Sequence, residues 1–251
     1  YFELEGPAMA VSSACSSSAK VFASARRMLQ AGLIDAAIVG GVDSLCLTTL
    51  CGFDSLGLLS SRPCRPFDTA RDGISIGEAA AFVLLERVPD SLDANAVLLR
   101  GVGESSDAYH MSSPHPQGLG ARLAMQQALD SAGLQAAQID YINLHGTATP
   151  GNDAAESLAV AVLFGDVATP CSSTKGATGH TLGAAGALEA VISALALQQG
   201  LMPAGVNTEH VDLALGVHYL LDNRGQRANN VLSNSFGFGG TNCSLVFGRA
   251  G

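Results

Sequence analysis

Apolar and polar positions alternate along the chain between two periods, and that alternation predicts a layered α/β protein. Small residues in PAMAVSSA (7–14) predict a buried strand. Residues 16–31 follow with Val21, Ala25, Met28 and Leu29 on one helical face, and Gly32 is placed to stop the helix. AAIVGGV (36–42) and residues 79–85 predict two more strands, the first of them buried. Between them, residues 52–78 are rich in Gly, Ser, Pro and Arg and predict a long ordered loop over a site. A linker is expected at 89–95 and a strand at 97–102.

The second half repeats the theme. It predicts a helix over 121–132 closed by Gly133, and a strand over 139–144 that runs into His145. A helix over 153–163 is expected to be capped by Asp153 or Asn152, and a long Ala-rich helix covers 181–199. Short strands are expected near Val217, Val231 and Leu245. Strands alternating with helices imply a parallel or mixed sheet with helices on its faces. Two segments echo each other: Cys15 stands before one small-residue helix and His180 before another, the pattern of a duplicated half-fold.

Composition narrows the classes of function. Of 251 residues, 47% are hydrophobic and 14% charged, which excludes a disordered chain. The net charge of -9 argues against a nucleic-acid duplex or a membrane surface as partner. No unbroken apolar run reaches the roughly 18 residues of a membrane span. Six scattered cysteines without a CxxC pair point to reduced thiols, a cytoplasmic setting and no metal site. The chain opens on Tyr1, and a piece of a longer protein is the expectation.

Cys15 is the leading candidate for chemistry. At a strand-to-helix junction it meets unpaired N–H groups and the positive end of a helix dipole, which favour a thiolate and could hold an oxyanion. His145 opens HGTATPGND with Thr147 and Thr149 beside it, and His180 closes STKGATGH. Lys175 and Glu189 are spaced to form an ion pair near His180, and the alternative is an inconsequential surface pair. SNSFGFGGTN (233–242) can present backbone N–H groups and an aromatic gate, or simply a Gly-rich hairpin packed on two Phe. GISIG (73–77) matches the hydrolase elbow GxSxG, yet a polar loop precedes it and a strand follows, the reverse of the context that motif requires.

ACSSS (14–18), RPFDTARDGISIGEAA (65–80), SSDAYHMSSP (105–114), HGTATPGND (145–153), SSTKGATGHTLGAAGALE (172–189) and NSFGFGGTN (234–242) occur in one order over nearly the whole chain. In that order they resemble the β-ketoacyl-[acyl-carrier-protein] synthases, and more narrowly the elongating Cys-His-His branch. The resemblance implies a thiolase-like α-β-α-β-α architecture, with residues 1–88 as the remainder of an N-terminal half and 89–251 as a complete C-terminal half. It implies that Cys15 carries the acyl group, that His145 and His180 assist malonyl decarboxylation, and that Lys175 pairs with Glu189. Thr147 and Thr149 would bind the carrier's pantetheine arm. Phe238 would be the gate, its N–H and that of Cys15 would form the oxyanion hole, and Asp107 and Ser112 would lie at the entrance. An acyl carrier protein and a homo- or heterodimeric partner are implied, with no metal or redox cofactor. A full member carries further sequence ahead of the nucleophile strand, so a missing portion or complementary subunit is expected. The rival reading is a non-catalytic subunit resembling a chain length factor, against which the retained Cys15, His145, His180 and Lys175 weigh.

Overall fold

A computed structural model of the chain describes residues 3–250. The first half contains α1 (Ser17–Gln30), β1 (Ala36–Asp43), α2 (Leu47–Ser55) and β2 (Ala79–Glu86). The second contains β3 (Val97–Ser106), α3 (Leu119–Ala132), β4 (Tyr141–Asn143), α4 (Pro150–Phe164), β5 (Pro170–Ser172), α5 (Lys175–Thr178) and α6 (Ala185–Gln199). It ends with β6 (Leu201–Met202), β7 (His218–Tyr219), β8 (Arg224–Gly225), β9 (Asn230–Gly237) and β10 (Thr241–Arg249).

The main sheet has six strands in the order β3-β10-β9-β4-β5-β7. Its first three strands are antiparallel, and β9, β4, β5 and β7 run parallel. Both faces are covered, so β9 and β10 are buried along nearly their whole length, their Ser and Asn residues included. Along β9 and β10, Val231 and Leu245 enter one core while Leu232 and Val246 enter the other. Helices α3 and α4 cover the second face, with Met125, Leu129 and Phe164 in its core. Helices α1 and α6 cover the first and separate the main sheet from the antiparallel pair β1–β2. The described residues thus stack as helices, six strands, helices, two strands.

Small residues make the central layer thin. A Cβ on Gly186 would lie 2.6 Å from the Ala19 backbone nitrogen, and one on Gly41 would lie 2.7 Å from Ser18. The Ala187 N–H donates to Ser18 Oγ at 2.9 Å. The two segments whose sequences echo each other therefore lie side by side, bringing their leading residues to one end of the layer. By length and hydropathy, Leu182–Gln199 could cross a membrane, but half of that stretch is buried between the two sheets.

Several sequence expectations are corrected. Residues 7–14 are not a buried strand: among the described residues they form only the single bridge Ser13–Cys15, have no strand beside them and are mostly exposed. β1 is not buried on both faces: on the outer face of the β1–β2 pair, Ile38 and Val42 of β1 and Phe82 and Leu84 of β2 are exposed. α2 lies where no helix was expected, at the edge of the segment taken as loop. α4 begins at Pro150 with Thr149 as its N-cap, since proline's fixed φ and missing N–H suit the first helical position. Asp153 is turned inward instead of capping. The helix expected over 181–199 starts as a 3-10 turn, Leu182–Ala184, before α6. Gly32 and Gly133 end their helices with φ of +72° and +65°, as expected.

Candidate active site

Cys15 follows Ala14, which holds the left-handed φ of +52° that swings the chain from the bridge into α1. The thiol is 6% exposed and opens onto a cavity of about 490 Å³ shared with His145, His180, Thr147, Thr149 and Phe238. Asp107 and Ser112 line the same cavity. The sulfur has hydrogen-bond approaches from the backbone N–H groups of Phe238 and of Cys15 itself. The helix dipole does not leave a resting thiolate: burial dominates and pushes the thiol up to about 11, with Lys175 the largest opposing influence. A neutral thiol is the resting form.

The two imidazoles come from different turns. His145 ends the β4 run, and His180 stands between α5 and the 3-10 turn before α6. Their ring centroids are 5.3 Å apart at 82°. Burial, reinforced by Lys175, holds both well below the usual imidazole range, and His180 lowers His145 further. Both are therefore neutral at pH 7 and can offer an N–H to a developing oxyanion.

Lys175 is 1% exposed and donates to Glu189, itself 2% exposed, while its Nζ lies 3.4 Å from His145 Nδ1. The surface-pair alternative is thus excluded by burial. Contacts with both Glu189 and His145 tie α6 to the end of β4. Thr147 and Thr149 hydroxyls are 2.8 Å apart. Phe238 packs on Phe53 of α2, centroids 5.6 Å apart. The Gly-rich turn is fastened to the 107–115 loop: Gly239 N–H donates to the Met111 carbonyl at 2.7 Å, and Asn242 Nδ2 donates to Asp107 at 3.0 Å.

Two buried carboxylates support the site: Glu156, which the sequence does not single out, and Asp153, expected only as a helix cap. Glu156 accepts the N–H groups of His145 and Gly146, both at 2.8 Å, and Asn234 Nδ2 at 3.0 Å. Asp153 accepts from Phe67, Thr147 and Ala148 at 2.9 to 3.2 Å. Together they fix the HGTA turn, where Ala148 has φ +63°. The available signal was an acidic residue at 153 and another at 156, one turn apart on the same face as Ala159 and Val160.

Burial lifts Glu156 to about 7 against its three donors. An acid whose folded pKa is raised keeps its proton between about 4.5 and 7 while the unfolded chain has lost it, so its penalty grows as pH rises through that window. The stability of wild type relative to Glu156→Gln should accordingly fall by roughly 3 kcal/mol between pH 4.5 and 7. Urea denaturation of both proteins across that range checks the slope, and parallel curves would contradict it.

A buried thiol, two neutral imidazoles and two N–H groups on a layered α/β frame define a protein of the thiolase-like class. Comparison with known proteins carries this further. The β-ketoacyl synthase N-terminal domain model matches residues 1–91 and the C-terminal domain model residues 96–209. The chain is 39% identical to a 3-oxoacyl-[acyl-carrier-protein] synthase 2 from Coxiella burnetii, over 99% of this chain and 63% of the relative. It is 40% identical to the mitochondrial 3-oxoacyl-[acyl-carrier-protein] synthase of Arabidopsis thaliana, over 98% and 57%. A chain of a solved complex of a ketosynthase with its chain length factor, from Xenorhabdus doucetiae, is 50% identical with a TM-score of 0.92, over 98% of this chain and 61% of that one. The chain belongs to the β-ketoacyl synthase family, and it spans about 60% of the length of these relatives.

Proposed function

We propose that this chain carries the condensing site of a 3-oxoacyl-[acyl-carrier-protein] synthase, acting in fatty acid or polyketide elongation. The observation that carries the reading is the single cavity in which Cys15, His145, His180 and the Phe238 backbone meet. The Cys15 sulfur attacks an acyl-carrier thioester; a carbon–sulfur bond forms and the carrier thiol leaves with the proton. A malonyl thioester then enters. Its carbon–carboxyl bond breaks, carbon dioxide departs, and the electron pair becomes an enolate whose oxygen accepts N–H bonds from His145 and His180. Each such donor is worth about 3–4 kcal/mol of transition-state stabilisation. The enolate carbon attacks the acyl-Cys15 carbonyl. The N–H groups of Cys15 and Phe238 hold the tetrahedral oxyanion until the 3-oxoacyl product leaves and the sulfur recovers a proton.

Lys175 and Glu189 organise this site, Thr147 and Thr149 hold the pantetheine arm, and Phe238 gates the cavity. Residues 1–88 and 89–251 are read as the two half-folds. The partners are an acyl carrier protein and a second ketosynthase-like chain, identical or related. The similarity to a chain of a solved complex of a ketosynthase with its chain length factor supports a related one. No cofactor beyond the carrier's phosphopantetheine enters the scheme, and six unpaired cysteines favour the cytoplasm.

Intact mass spectrometry tests the reading: acyl-carrier thioester should add acyl mass to Cys15, and malonyl-carrier thioester should discharge it with release of carbon dioxide. Acyl binding without a covalent adduct would favour a non-catalytic subunit. His180→Ala should slow carbon dioxide release by roughly 100-fold or more, at least as much as acyl loading. Unchanged release would remove His180 from that role.

A further inference from the structure

We propose that the backbone of residues 75–77 is the positioning element for the His180 ring, and that Gly77 is glycine because this contact needs a residue without a side chain. The kinetic part of the test rests on the function proposed above; the structural part does not.

The two imidazoles are anchored differently. His145 is held at both ends, by its N–H to Glu156 and by Lys175 against Nδ1. His180 Nδ1 is buried without a hydrogen-bond partner among the described residues. With no hydrogen bond at Nδ1 to aim it, its ring is placed by its packing against His145 and by its backbone. That backbone forms a parallel bridge with Ile76. The His180 N–H donates to the Ser75 carbonyl at 2.7 Å, and the Gly77 N–H donates to the His180 carbonyl at 3.1 Å.

The strap is itself anchored. Ser75 Oγ accepts the Cys64 N–H at 3.0 Å. The Ile74 N–H donates to the Leu58 carbonyl, and the Ser60 N–H to the Ile74 carbonyl, both at 2.8 Å. An unbroken run of backbone bonds thus joins residues 58–60 to His180, far along the chain. Its closeness admits no side chain. A Cβ on Gly77 would lie 2.1 Å from the Thr178 carbonyl oxygen. One on Gly179, at φ +68°, would lie 2.9 Å from both the Gly77 nitrogen and the Ser75 oxygen. The GISIG sequence that imitates a nucleophile elbow is this strap.

The experiment labels histidine with ¹⁵N in the full chain and assigns the ring signals with His145→Ala and His180→Ala. Gly77→Ala should move the His180 ring signals several-fold more than those of His145, which feels only its neighbour's displacement at 5.3 Å and keeps its own anchors. It should lower carbon dioxide release by about 100-fold, with acyl loading of Cys15 kept within roughly threefold. Gly179→Ala crowds the same contact and adds the strain of φ +68° with ψ 178°, and should show the same pattern. Gly133→Ala places an alanine at a left-handed φ of +65° in open space and should change neither the ring signals nor the ratio of the two half-reactions. An ester in place of the Gly77 amide removes the N–H without adding an atom, and serves if the alanine variants do not fold. Unmoved His180 signals, or half-reactions that fall in parallel, would overturn the proposal. Absence of carbon dioxide release by the wild type would instead count against the proposed function, while the ring signals still decide the strap.

Discussion

Cys15→Ala leaves no acyl mass on the protein and lowers condensation by at least about three orders of magnitude, the scale on which enzymes lose rate with their nucleophile. The size follows from the chemistry: without the sulfur there is no covalent acyl group for the enolate to attack, and no other thiol lines the cavity. Cys64 is buried outside the cavity lining, with its Sγ donating to the Thr147 carbonyl at 3.6 Å. The fold should not suffer, because a thiol that small contributes little packing. The discriminating measurement is intact mass after acyl-carrier exposure, paired with a thermal melt. Acyl mass on the folded variant would assign the nucleophile elsewhere.

The elements that could be read from sequence are those whose burial is decided locally. α1, α3 and β10 carry their own periodicity, and Gly32 and Gly133 mark true ends. Where burial depends on distant neighbours, the pattern misleads. Residues 7–14 have the composition of a core strand but pair with no strand among the described residues, and β1 keeps an apolar outer face on which Ile38 and Val42 are exposed. α2 is legible mainly through its partner: Phe53 meets Phe238 from nearly two hundred residues away. The site divides the same way. Cys15, His145, His180 and Lys175 announce themselves by type and by the turns they sit on. Glu156 does not, because its task is to accept backbone N–H groups, and any buried helix position could in principle do that. The resting ionisation of Cys15 is not legible in the sequence because a helix end acts locally while desolvation depends on the whole enclosure. Here enclosure is the larger effect.

Lys175→Met should be the most destabilising single change at the site. Lys175 and Glu189 are both almost fully buried, and Glu189 Oε2 already lacks a partner among the described residues. Removing the ammonium leaves a carboxylate with no compensating charge, a loss of about 3–5 kcal/mol. Against a typical stability of about 5–15 kcal/mol, that lowers Tm by roughly 10 °C in a chain this long. His145 loses the cation 3.4 Å from Nδ1, so its ring rises toward the ordinary imidazole range and takes a proton more readily as pH falls. The double variant Lys175→Met with Glu189→Leu separates the two consequences. With neither charge present the desolvation cost disappears, and most of the stability returns. Activity does not return with it, since the apolar pair has nothing to hold His145 in place. Chemical denaturation of the single and double variants, beside their carbon dioxide release, reads both effects. If the double variant recovered activity along with stability, Lys175 would be a structural residue and the placement of His145 would rest on Glu156 alone.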